Sequence, residues 1–176
     1  MELLTRYYDE DIVLKRAIDI AHPAAVTRRT ALFYIHGGGW NAGSRDAYHE
    51  HLVYFSRKGY LCASAGYRLV PSVRLEGQME DVTTGYDRFL AYIEEKRLGI
   101  DRVIVIGSSA GAHLASLLAL TEPSEFNEGL KLQSRWRRPV ACVSVNGPGT
   151  LEPWDDMDEV IQPLIENMLG VKYGEE

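Results

Sequence analysis

"RVIVIGSSAGAHLASLLAL" (Arg102–Leu120) changes character twice along its length. Arg102–Ile106 is an apolar, β-branched run, as expected of a strand buried on both faces. From Ser109 to Leu120 the pattern becomes helical, with Leu114, Leu117 and Leu118 facing inward. Between the two lies Gly107–Gly111, a G-x-S-x-G pattern centred on Ser109. A serine on so sharp a strand-to-helix turn takes strained backbone angles, and the residues two before and two after it must be small. Gly107 and Gly111 satisfy that requirement, and Ala110 keeps the exit narrow. Such a turn exposes the hydroxyl and aims the unpaired N–H groups of the helix N-terminus at whatever the hydroxyl meets. Small residues at a tight turn also occur for packing alone, so the rest of the chain has to discriminate.

Working outward, "TALFYI" (Thr30–Ile35) is a second continuous apolar strand, and it runs directly into "HGGGW" (His36–Trp40). Consecutive glycines weaken any regular element, so they point to a place where the backbone itself must make contact. Asp46–Lys58 reads as a helix and Tyr60–Ala65 as the next strand. Gln78–Arg97 is a helix with Val82, Tyr86, Phe89, Leu90 and Ile93 on one face. Asp11–Ile20 partly alternates, as an outer antiparallel strand does. After a polar, irregular stretch over Pro123–Pro139 come a strand at Val140–Val145 and a final helix over Met157–Leu169, with Pro163 a point of kinking or early breakage. Buried strands alternating with amphipathic helices predict an α/β fold, a mostly parallel sheet with helices on both faces. Chemistry in such sheets collects at the carboxyl ends of the strands, where both glycine motifs fall.

The 176 residues suffice for one domain, read here as a single unit over 1–176. An apolar content of 45%, with 25% charged residues, is ordinary for a globular chain. A formal charge of −6 provides no basic field for nucleic acid, and "RWRRP" (Arg135–Pro139) is too short a cluster to change that. The N-terminus is acidic and lacks the apolar core of a secretion signal, and no run is long enough to span a membrane. Cys62 and Cys142 fall in predicted buried strands, which suits free thiols and a cytoplasmic setting.

The order "HGGGW", "GYRLVP" (Gly66–Pro71), "MEDV" (Met79–Val82) and "GSSAGAHLA" (Gly107–Ala115) resembles the α/β-hydrolase superfamily, in particular the hormone-sensitive-lipase-like acetyl esterases. The resemblance implies a serine esterase with Ser109 as nucleophile. It implies an oxyanion hole drawn from Gly37, Gly38, Gly39 and Ala110, with the N–H donors of Gly38, Gly39 and Ala110 foremost. His36, Tyr67, Arg68 and Asp81 are then framework. The substrate implied is a small-molecule ester, and no metal or organic cofactor is called for.

A serine hydroxyl also needs a base and an orienting carboxylate, which in these folds follow it in the chain. Only His113 follows Ser109, and from one helical turn below it the ring is expected to point away from the hydroxyl. His22, His49 and His51 read as surface residues, and the H-x-H pair faces two directions. Asp155, Asp156, Asp158 and Glu159 read as charges at a helix start. The resemblance places acid and base on later strands, so the chain is expected to cover the N-terminal two-thirds of the fold. Its sheet would then end on an exposed edge, open to a second copy or a complementing chain. Two further readings stand: an arylformamidase-like amide hydrolase, and a non-catalytic remnant or partner chain.

Overall fold

The computed structural model describes residues 1–154, 157 and 159–174. Six strands form one sheet: β1 (Glu2–Tyr7), β2 (Ala17–His22), β3 (Thr30–Ile35), β4 (Cys62–Ala65), β5 (Arg102–Ser108) and β6 (Ala141–Val145). Their order across the sheet is β1-β2-β4-β3-β5-β6. β1 and β2 run antiparallel to their neighbours, and the pairs β4–β3, β3–β5 and β5–β6 are parallel. Four helices complete the chain: α1 (His49–Ser56), α2 (Leu75–Glu95), α3 (Ala110–Leu120) and α4 (Ile161–Leu169).

From β3 the chain moves to one side to form β4 and later returns to the other side as β5. The connections therefore diverge at the carboxyl end of β3, which opens a crevice there. His36–Trp40 leaves β3 at that point and Ser109 leaves β5 beside it.

The larger core joins the sheet to α2 and α3, through Phe33, Ile35, Val103 and Val105 against Met79, Val82, Tyr86, Phe89, Leu114 and Leu118. Phe33 meets Tyr86 edge-on with ring centroids 5.3 Å apart, a preferred aromatic geometry. On the opposite face Leu32, Tyr34 and Cys62 pack under Leu52 of α1. That cover does not extend to β6: Val143 and Val145 stay 45% and 43% exposed, beside partly buried Ile104 and Ile106 of β5. Cys142, expected to be buried, is only half-buried on the other face, against α3 beside Ser116, and both cysteines are free thiols.

Three expectations need correction. Asp11–Ile20 is not one strand, because Ile12, Val13 and Leu14 are exposed in the loop of a hairpin whose first strand, β1, has no counterpart in the sequence reading. The backbone turns there, with Arg16 N donating to Val13 O at 2.7 Å. The helix expected over Asp46–Lys58 begins as a single 3-10 turn (Arg45–Tyr48) before α1. α4 starts at Ile161, so Pro163 sits in its first turn, where a missing N–H breaks no helical bond.

Candidate active site

Ser109 is the N-cap of α3, exposed, with φ +51° and ψ −122°. A non-glycine residue at such angles persists only where its surroundings over-determine it, and here they do. A Cβ on Gly107 would fall on the Gly111 carbonyl and 2.7 Å from Ala112 N, and one on Gly111 would fall on the carbonyls of Ile35 and His36. The small residues of the motif thus let the start of α3 press against the end of β3. Ser109 N donates to Val145 O at 2.9 Å, tying the turn to the end of β6.

The glycine loop lies directly against this turn. A Cβ on Gly37 would stand 2.6 Å from the Ser108 carbonyl oxygen and 3.3 Å from Ser109 Cβ. Gly38 and Gly39 have φ of +119° and +57°, backbone that side chains of L residues rarely adopt. The loop closes on itself as Ala42 N donates to Gly38 O at 2.9 Å. Leu164 of α4 rests on Gly39 from the other side. Among the described residues, the N–H groups of Gly38, Gly39 and Ala110 have no hydrogen-bond acceptor.

His36 is 1% exposed and anchors the loop. Its ring stacks on Tyr67 at 4.2 Å, and Tyr67 Oη donates to the His36 carbonyl at 2.8 Å. Nδ1 lies 2.8 Å from Gly37 O, a group that can only accept, so Nδ1 carries the proton and the buried Nε2 is bare. Burial pushes its pKa down to about 4, keeping the ring neutral. Arg68 grips Asp81 through Nε at 2.8 Å and Nη2 at 2.9 Å, and Arg16 adds a second guanidinium at 3.0 Å. These residues form framework below the loop.

His113 meets Trp40 edge-on at 5.7 Å, with Nδ1 buried and unpartnered, and burial lowers its pKa to about 4. His22 and His49, expected at the surface, are half-buried because each has a partner: Tyr92 Oη at 2.8 Å from His22 Nδ1, and Asp19 Oδ2 at 2.7 Å from His49 Nε2. His51 is exposed and flanks Tyr48, so the H-x-H pair does diverge. Among the described residues no group of three or more His, Cys, Asp or Glu side chains could hold a metal ion, and no helix is long and apolar enough to cross a membrane. Glu159 is exposed in the turn before α4, and Asp155, Asp156 and Asp158 lie outside the described residues.

Two motifs some 70 positions apart therefore meet at the carboxyl ends of the neighbouring strands β3 and β5, and that arrangement is the α/β-hydrolase fold. Esterase B of Lactobacillus rhamnosis superposes with a TM-score of 0.76 at 28% identity, covering 96% of this chain and 57% of that one. An esterase from Thermogutta terrifontis, at 23% identity, shares the fold with a TM-score of 0.71 over 97% of this chain and 62% of its own. Within that class, residues 18–176 match the BD-FAE family, to which the chain belongs. It is 36% identical to arylacetamide deacetylase of Bos taurus over 72% of its length, and 33% identical to neutral cholesterol ester hydrolase 1 of Mus musculus over 82%. The chain spans only 35% and 36% of those two relatives.

Proposed function

We propose that the chain carries the nucleophile and the oxyanion-binding half of a serine carboxylic-ester hydrolase. The observation that carries this is the meeting of a strained, exposed Ser109 with the three unpaired N–H groups of Gly38, Gly39 and Ala110. In this reading Ser109 Oγ attacks the ester carbonyl while its proton passes to a base. The carbonyl oxygen, negative in the tetrahedral intermediate, is held by those donors, each worth about 2.7–4 kcal/mol where charge develops. Collapse expels the alcohol and leaves an acyl-enzyme, which water then hydrolyses.

The base comes from outside these residues. His113 is turned to Trp40 and kept neutral with a weakly basic ring, His36 is stacked on Tyr67, His22 and His49 pair with Tyr92 and Asp19, and His51 flanks Tyr48. The open edge of β6, with Val143 and Val145 exposed, suits a further strand of a longer fold carrying acid and base. Neutral cholesterol ester hydrolase 1 and esterase B are named for esters and arylacetamide deacetylase for an amide, so an ester is the first substrate to test and an amide the second.

A fluorophosphonate probe with imidazole supplied as external base tests this. The label is expected on Ser109, faster as imidazole rises, and absent from Ser109→Ala. No adduct on Ser109 in folded protein would favour a non-catalytic chain, and turnover of N-formylkynurenine but not p-nitrophenyl acetate would favour the amide hydrolase.

A further inference from the structure

The 3-10 turn Arg45–Tyr48 links the glycine loop to α1, and a single carboxylate grips both its ends. Asp19 of β2 is 4% exposed. Its Oδ1 forms an ion pair with Arg45 Nε at 2.9 Å, and its Oδ2 meets His49 Nε2 at 2.7 Å. Thr5 Oγ1 of β1 donates to Oδ1 at 2.7 Å. Burying a carboxylate is unfavourable without such partners, so the cluster is a built feature rather than a solvated charge. The turn is held from two more sides: Ser64 Oγ donates to Arg45 O at 2.7 Å, and Arg45 Nη1 to Leu14 O at 2.7 Å.

Between the gripped ends stands Tyr48. Its ring lies on Tyr34 with centroids 4.8 Å apart, and its hydroxyl donates to Ser108 Oγ at 2.9 Å. Among the described residues this is the one side-chain hydrogen bond made to residues 107–111. Ser108 immediately precedes the strained Ser109, and its carbonyl is the group that Gly37 backs onto. A path of direct contacts therefore runs from the first hairpin, through the turn, to the residue shared by both halves of the site.

We propose that Asp19 and Tyr48 are positioning residues for Ser109, with Asp19 fixing the turn and Tyr48 holding Ser108 so that the nucleophile's turn and the glycine loop keep one register. The proposal rests on Ser109 being the nucleophile, but amide exchange tests the clamp without any chemistry at Ser109.

Three amides report on it: Ser109 N to Val145 O at 2.9 Å, Ala42 N to Gly38 O at 2.9 Å, and, as a reference just past the end of α2, Leu98 N to Ile93 O at 3.2 Å. Losing one hydrogen bond of ordinary net strength in Tyr48→Phe should speed exchange at Ser109 and Ala42 about fivefold to tenfold. Leu98 should stay within about twofold, phosphonylation of Ser109 should slow, and Tm should fall by no more than about 2–4 °C. Asp19→Asn should speed the same two amides, and the double variant should exceed neither single variant by much, since both act along one path. Where Asp19→Asn does not fold, Ser108→Ala replaces it in the cycle. Exchange at Ser109 and Ala42 that tracks Leu98 in every variant would reduce the cluster to plain stability and overturn the proposal. Additive effects of Asp19 and Tyr48 would overturn the path between them. Normal labelling of Ser109 with unmoved exchange would overturn the clamp and leave the nucleophile intact.

Discussion

Gly37→Ala is the smallest change that should separate the two halves of the site. Gly37 has an ordinary negative-φ backbone, so alanine brings no conformational strain there. Its methyl would stand 2.6 Å from the Ser108 carbonyl oxygen, where ordinary contact begins at 3.4 Å, so 3.4 − 2.6 = 0.8 Å must be made up. The Ser108 carbonyl belongs to β5 and cannot swing aside, so the glycine loop must back away from Ser109. A displacement approaching 1 Å in a reacting geometry lowers rate by as much as about 100-fold, so a loss of about 10- to 100-fold is expected. Overpacking of about 1–3 kcal/mol is partly offset by the restricted unfolded chain, leaving about 1–2 kcal/mol and a Tm lower by about 2–8 °C. The assay is the second-order rate of Ser109 phosphonylation with imidazole present, beside a melting curve. Gly149→Ala, where a Cβ meets nothing within 4 Å, is the control and should change neither. A Gly37→Ala rate within about threefold of wild type would refute the claim that this contact sets the site.

Acid should destabilise the fold in a defined window. His36 and His113 titrate near 4 when folded against an ordinary 6.5, so the unfolded chain binds more protons between those values and stability falls as pH drops through 6.5 toward 4. From pH 7 to 5 each contributes about 2 kcal/mol of loss, and urea titrations of His113→Gln should show one such share removed. Asp81→Asn leaves Arg16 and Arg68 without their buried carboxylate and should cost about 3–5 kcal/mol in urea unfolding. Asp87 accepts from the backbone N–H groups of Gln133 and Ser134 at 2.9 and 3.0 Å, so Asp87→Ala should raise proteolytic cleavage within residues 123–139 several-fold.

Much of the fold was legible because its strands bury both faces. Thr30–Ile35 and the start of β5 at Arg102 fall where their apolar runs do, and the small residues around Ser109 by themselves announce a tight turn. β1 was not legible: "ELLTRY" lies at the sheet edge, half solvated, so its pattern carries little periodic signal. Ile12–Leu14 misled for the opposite reason, being apolar yet exposed in a loop. Local spacing also says nothing of Asp19, whose partners Arg45 and His49 lie some 26 and 30 positions away, or of Tyr48 and Ser108, 60 apart. An acid in a half-alternating strand reads as a solvent-facing residue, and only the tertiary fold turns it inward. The glycines illustrate a partial success. Their presence pointed to backbone contact, but the structure divides the reasons: Gly37 for its approach to Ser108, Gly38 and Gly39 for positive φ.

The central claim is that Ser109 is a nucleophile facing unpaired backbone donors. Peptide mapping of the fluorophosphonate adduct, by intact mass and then by digestion, tests it most directly. The account predicts one adduct per chain, on Ser109, formed faster with imidazole and absent from Ser109→Ala. An adduct on another residue, or none on folded wild-type chain at high imidazole, would contradict it.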